Sequence, residues 1–181
     1  GLKAYADELK ALGFIPGIWM EIEVTKENSK YFGEKYDDLK LKKDNAVIDS
    51  EIIGGGKYNF WDFTNEKAIK HLDEVVIKTI KDNGFGYLKV DYNTNIGIGA
   101  DGGDSLGEKL YSHLSAVKDY FVKIRKETGA VIENCSSGGS RLEPSMMNIT
   151  EMSSATDAHE VYEEAIIGAN LQYLIPARQS Q

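Results

Sequence analysis

The sequence predicts a parallel α/β fold, either a doubly wound sheet or a (β/α)8 barrel. Three observations lead there. Amphipathic helical segments end three times in glycine and pass at once into a short apolar strand. The helices are long enough for right-handed crossovers, which place successive strands in one parallel sheet. Four successive strands finish in carboxylates or other polar groups, and active sites of such folds lie at the C-terminal ends of strands.

The first unit is residues 1–12, which place Leu2, Ala6, Leu9 and Leu12 on one helical face before Gly13. A helix C-terminus favours a left-handed residue, which glycine adopts without a Cβ penalty. The stretch FIPGIWM follows, as a strand over about 15–20. Residues 65–83 repeat the pattern, with Ile69, Leu72, Val75, Val76 and Ile80 on a face, Gly84 as stop and a strand over 87–91. Residues 105–128 repeat it again, with Leu106, Leu110, Leu114, Val117, Phe121 and Ile124, then Gly129 and a strand over 131–135. A strand over 149–153 precedes a shorter helix from about Ala158 to Asn170, which leads into a fifth strand over 172–176.

Five strands are too few for a closed barrel, and 181 residues fall short of the ~250 typical of one. Under the barrel reading the chain holds a little over half of it. No linker or domain boundary is visible, so residues 1–181 read as one partial barrel domain. Both ends look cut from something longer, and the outer strands would be unpaired edges.

Composition excludes several classes. The chain is 41% hydrophobic and 28% charged, ordinary for a globular protein, with net charge -8. That charge argues against nucleic acid, whose partners carry a basic face. There is no apolar run of the ~18 residues a membrane helix needs, so no membrane partner is expected. No signal-peptide pattern is present, but with both ends cut targeting is not judged from it, and the compartment stays unknown, with the cytoplasm expected ahead of secretion. The single cysteine, Cys135, excludes an internal disulfide and offers no framework for structural zinc. The three histidines are scattered without metal-ligand spacing, and no cofactor is expected.

The strand YLKVDYN concentrates the question of function. Side chains on a strand alternate with period two, so Tyr87, Lys89 and Asp91 share one face and Leu88 and Val90 the other. A buried Lys89–Asp91 ion pair is one explanation. At about 4 Å and an effective dielectric of 20 it gains about 4 kcal/mol, while desolvation costs several kcal/mol per ion. That is a poor route to stability, and a role in a site explains the pair better. Asp157 reads by spacing alone as the cap of the helix AHEVYEEA, with Glu160 three residues on. Cys135 and Trp19 could each be ordinary core. SSGGSR could be a plain turn.

Taken together, YLKVDYN, VIENCSSGGSRLEPSMM and MSSATDA, in that order, resemble the catalytic segments of family 36 glycoside hydrolases, the melibiase-like α-galactosidases. ALGFIPGIWMEIE and FWDFTNEKAIKHL are similar to further stretches of that family. The resemblance implies a (β/α)8 TIM barrel that cleaves terminal α-galactosyl groups from oligosaccharides with retention of configuration. It implies Asp91 as nucleophile, Asp157 as acid/base, and Lys89 as a ligand of sugar hydroxyls. Cys135 and Ser137 would lie near the sugar, with Trp19 as an aromatic wall and Asn93 as a further donor. Homo-oligomerisation of the full-length protein stays open, and this chain alone is expected to be inactive.

Three departures from the family bear on the sugar. Ser137 stands where the family usually has glycine beside the sugar's 2-substituent. Asp38 stands where it often has tryptophan. The segment IIGGGKYN lacks the family's sugar-binding arginine. A different α-linked sugar, or one modified at position 2 such as α-N-acetylgalactosamine, is therefore an alternative. A second is a metal-dependent lyase or isomerase on the same barrel, with Asp91, Glu133 and Asp157 as ligands and Lys89 as base.

Overall fold

The structure is a computed structural model that describes residues 1–51 and 56–180. In chain order its elements are α1 (Leu2–Ala11), β1 (Gly17–Met20), β2 (Val24–Lys26), β3 (Lys42–Lys43), β4 (Ala46–Val47), β5 (Asp49–Glu51), β6 (Lys57–Phe60), α2 (Glu66–Leu72) and α3 (Lys78–Asn83). There follow β7 (Tyr87–Val90), α4 (Leu106–Thr128), β8 (Val131–Asn134), the single turn α5 (Ser136–Gly139), α6 (Pro144–Met147), β9 (Met152–Ser153) and α7 (Val161–Leu171). They divide between two compact units.

The first unit comprises Gly1–Met20, Ile77–Tyr92 and the chain from Phe121 onward. It holds a parallel four-stranded sheet in the order β1-β7-β8-β9. Gly84 and Gly129 stop the preceding helices in left-handed conformation, with φ of 69° each. Along β7 the alternation is as expected: Leu88 and Val90 are buried, while Tyr87 and Lys89 are half-exposed. Register sets Trp19 beside Lys89, Lys89 beside Glu133, and Glu133 beside Met152. Leu88, Ile132, Phe121 and Ile124 are fully buried. A satellite cluster of Met147, Ala155, Leu171 and Ile175 packs with Leu142 and Ile167.

Two expectations change in this unit. Residues 172–176 are not a strand: Leu174 and Ile175 bond back to the Leu171 carbonyl, which closes α7 in a turn ahead of Pro176. The chain returns alongside β9 only at Ser180, in one parallel bridge to Ser153. Of the face predicted for α1, only Ala6 is fully buried, while Leu2 and Leu12 are exposed.

The second unit comprises Glu21–Val76 and Asn93–Tyr120. Sequence reasoning missed its strands, an antiparallel sheet in the order β2-β6-β5 and a hairpin of β3 and β4. The hairpin turns on Asp44 and Asn45, both with positive φ, the residue types that a two-residue turn of this hand prefers. Glu21 and Glu23 fall just beyond β1. Leu106 and Leu114 of α4 are exposed, and Lys109 and His113 take the buried positions. Lys109 pairs with Asp62 at 2.9 Å and donates to Thr64 at 2.5 Å. His71 packs among Tyr31, Tyr36 and Trp61, at ring-centroid distances of 4.8, 5.4 and 5.1 Å. Residues 52–55 of the IIGGGKYN segment lie outside the described residues. Among the described residues no helix is long and apolar enough to cross a membrane.

Candidate active site

The C-terminal end of the parallel sheet gathers most of the residues that the sequence singled out. Asp91 follows directly on β7, and its backbone N–H continues the ladder to the Met20 carbonyl at 2.9 Å. Its carboxylate is buried and receives N–H donors from several directions. Oδ1 accepts the backbone N–H of Tyr92 at 2.9 Å and that of Ser137 at 3.0 Å, and Oδ2 accepts the indole N–H of Trp19 at 3.2 Å. Such donors favour an ionised carboxylate. Trp19 is thus a ligand of Asp91 and remains half-exposed.

Lys89 makes its ion pair with Glu133, at 3.0 Å, rather than with Asp91. Its ammonium also donates to Ser154 Oγ at 3.1 Å. Ser154 in turn donates to Glu133 Oε1, and the Tyr87 hydroxyl donates to Glu133 Oε2 at 2.6 Å. Gly17 leaves room for the Tyr87 ring, since a Cβ there would stand 3.2 Å from Tyr87 Cδ1. Burial alone would raise the Glu133 carboxyl, but the donors from Ser154, Tyr87 and Lys89 bring it below the usual carboxylate range. Burial alone would lower Lys89, but Glu133 holds it above the ordinary lysine value, with weaker help from Cys135 and Asp91. The Cys135 thiol is pushed up by burial, and Asp91 adds to this.

After Cys135 the chain makes a left-handed turn. Ser136 and Ser137 both have φ of 52°, Gly138 has 70° and Gly139 has 105°. The turn closes through Gly139 N–H to the Cys135 carbonyl at 3.1 Å and Ser140 N–H to the Ser136 carbonyl at 2.9 Å. It touches both candidate aspartates. Ser137 offers its N–H to Asp91, while a Cβ on Gly138 would stand 2.8 Å from Asp157 Cγ. Arg141 then lies over the Tyr92 ring at 3.9 Å, and its carbonyl accepts the Asn134 amide at 2.7 Å.

Asp157 is exposed and is not a helix cap: α7 begins at Val161 with Glu160 at the N-cap position and no side-chain cap bond. Asn93 belongs to the second unit, where its amide donates to Glu21 at 2.8 Å. Glu151 lies at the start of β9, held by Arg125 at 2.5 Å and by the Ile132 N–H at 2.9 Å. The ties of Tyr87 and Ser154 to Glu133 were not foreseen. Period two had placed Tyr87 on the Lys89 face, but nothing in the sequence pairs Ser154 with Glu133. Among the described residues, no three His, Cys, Asp or Glu side chains gather in a metal-binding group.

The family model described as Melibiase matches residues 1–179. The chain belongs to the Melibiase family. Alpha-galactosidase 2 of Pediococcus pentosaceus is 25% identical over 166 residues, covering 90% of this chain and 22% of that protein. The GH36 alpha-galactosidase AgaA of Geobacillus stearothermophilus superposes with a TM-score of 0.85 at 20% identity, over 99% of this chain and 25% of that one. The alpha-galactosidase of Lactobacillus brevis gives a TM-score of 0.82 at 16% identity, over 99% and 24%. The fold is therefore that of part of a TIM barrel, as expected. The chain spans about a quarter of the length of these relatives. Variants of AgaA have been solved with stachyose and with raffinose.

Proposed function

We propose that the full-length protein is a retaining α-galactosidase, with Asp91 as nucleophile and Asp157 as acid/base. One observation carries this reading: a single turn of backbone bonds one aspartate through Ser137 and packs against the other at Gly138. A retaining glycosidase needs two carboxyl groups about 5–5.5 Å apart, and a shared rigid turn is a direct way to fix such a spacing. The N–H donors around Asp91 favour its ionised form, as a nucleophile requires.

In the first step Asp91 attacks the anomeric carbon. The bond to the leaving oxygen breaks, and that oxygen takes the proton of Asp157. In the second step Asp157 takes a proton from water, whose oxygen displaces Asp91 and restores the original configuration. Lys89 donates to sugar hydroxyls, Trp19 offers its exposed indole edge, and Cys135 and Ser137 line the same end of the sheet. The substrates are α-galactoside oligosaccharides of the class bound by the AgaA variants.

Ser137 favours a second reading within the same chemistry. Its side chain is exposed in a conformation that suits glycine, and the resemblance places it beside the sugar's 2-substituent. A sugar modified at that position is the alternative substrate.

Hydrolysis of a panel of aryl α-glycosides by the full-length protein tests both readings. Turnover of the α-galactoside, lost in Asp91→Ala and Asp157→Ala with sugar binding retained, is the expected result. Unchanged turnover in either variant sinks the assignment.

A further inference from the structure

We propose that Glu133 is a positioning residue, whose carboxylate holds the Lys89 ammonium in one donor geometry at the end of the sheet. The inference rests on the assignment of Lys89 as a sugar ligand and deepens it. A lysine side chain has four rotatable bonds and a freely turning ammonium, so it is a poor instrument for orienting a hydroxyl unless something restrains it. Glu133 is placed to do so. It is 2% exposed and lies beside Lys89 in register on the neighbouring strand.

Both oxygens of Glu133 are engaged from different strands. Oε1 takes Lys89 from β7 and Ser154 from just beyond β9, and Oε2 takes Tyr87, two residues before Lys89 on the same face. Ser154 closes a triangle, since it also accepts from Lys89 at 3.1 Å. Two of the three ammonium protons are thereby directed to Glu133 and Ser154, and the third is left for the sugar. A buried carboxylate serving only stability would be an expensive choice, because desolvation offsets the Coulomb gain of such a pair.

The groups that act on Lys89 are Glu133 from β8, Asp91 from the end of its own strand, and Cys135 beyond β8, with Tyr87 and Ser154 bound to Glu133. Of the charged ones, Glu133 has the largest influence, so its neutralisation should let the ammonium deprotonate at lower pH.

The test is Glu133→Gln in the full-length protein, with kcat/KM for an aryl α-galactoside and thermal melting both measured. The expected result is a loss of about 10- to 100-fold in kcat/KM with the melting temperature little changed, which mere loosening of the fold would not produce. An activity within twofold of wild type overturns the proposal. A second readout is independent of turnover: the rate at which acetic anhydride modifies Lys89, followed by mass spectrometry on the peptide that contains it. Glu133→Gln should accelerate this at neutral pH, and an unchanged rate overturns the proposal even if the protein proves inactive on α-galactosides. If Glu133→Gln does not fold, Glu133→Asp decides. It keeps the charge but withdraws it by one methylene, so kcat/KM should fall at least fivefold, whereas full activity overturns the idea.

Discussion

Gly138 stands against Asp157 so closely that a single added carbon would lie 2.8 Å from the aspartate's carboxyl carbon, and also against its backbone nitrogen. Glycine is doubly required here, because φ is 70° as well. Gly138→Ala should therefore displace Asp157 or open the turn. The expected outcome is a fall in kcat of about 10- to 100-fold in the full-length protein, with about 1–3 kcal/mol of lost stability. Steady-state kinetics and thermal melting check the two parts separately.

Ser137 occupies the same left-handed region but has an exposed side chain. A non-glycine residue there carries a cost of about 1–2 kcal/mol. Ser137→Gly should raise stability by about 0.5–1 kcal/mol, since added freedom of the unfolded chain offsets part of the gain. The N–H that Asp91 accepts is retained, so turnover should persist. The ratio of rates on an α-galactoside and its 2-acetamido analogue should shift, which parallel assays would measure.

Trp19→Phe keeps an aromatic ring and deletes the N–H that reaches Asp91 at 3.2 Å. Loss of one donor to a buried charge costs about 1.5–3 kcal/mol where that charge is used. We expect kcat/KM to fall roughly 10- to 100-fold, and single-turnover kinetics would place the loss in the chemical step. A rise in KM alone would show that the indole serves the sugar and not the carboxylate.

The Lys109–Asp62 pair tests the second unit. Burial alone would raise Asp62, but the bonds from Lys109 and Thr64 bring it below the usual carboxylate range. The stability it confers is thus present above pH 3.8 and is lost as pH falls toward the lowered folded value. Lys109→Met leaves a buried charge and should cost about 3 kcal/mol, much of it regained in the double variant with Asp62→Asn. Denaturant unfolding of the four proteins completes the cycle.

His71 behaves in the opposite chemical sense. Burial, with repulsion from Lys30, holds its imidazole below the ordinary value of 6.5, and its buried Nε2 has no hydrogen-bond partner. Below 6.5 the unfolded chain takes up a proton that the folded one refuses until lower pH. Stability tied to His71 is therefore complete above 6.5 and declines as pH drops. His71→Phe should flatten the loss of melting temperature between pH 7 and about 5. An unchanged slope would assign that acid sensitivity to other groups.

The helix-glycine-strand units were legible because each joins a long period of 3.6 to a stop that only glycine satisfies cheaply. Lys89 and Asp91 were legible as a pair on one face because a strand of known hand and period allows nothing else. The antiparallel strands of the second unit were not. At two to four residues each they are too short to display alternation, and their one local mark is the Asp44–Asn45 turn. The strand expected over 172–176 failed because an apolar run before proline reads alike as strand or as turn. The buried face of α4 was misjudged where Lys109 and His113 replace leucines, since their partners Asp62 and Phe63 lie about fifty residues away. Lys89 finds its carboxylate on the next strand rather than on its own, and that pairing depends on register, which no single segment contains.

The left-handed turn after Cys135 also sorts what substitution can change. At position 137 the side chain is exposed, while 138 and 139 have backbone where side chains would go. Drift at the first alters the rim that a ligand meets. Drift at the other two moves Asp157 or the chain beside Ala155. Under the proposed assignment, selectivity and reaction geometry are thus encoded in adjacent letters yet are free to evolve apart: a lineage could exchange one sugar for another at position 137 without reopening the spacing of its carboxylates.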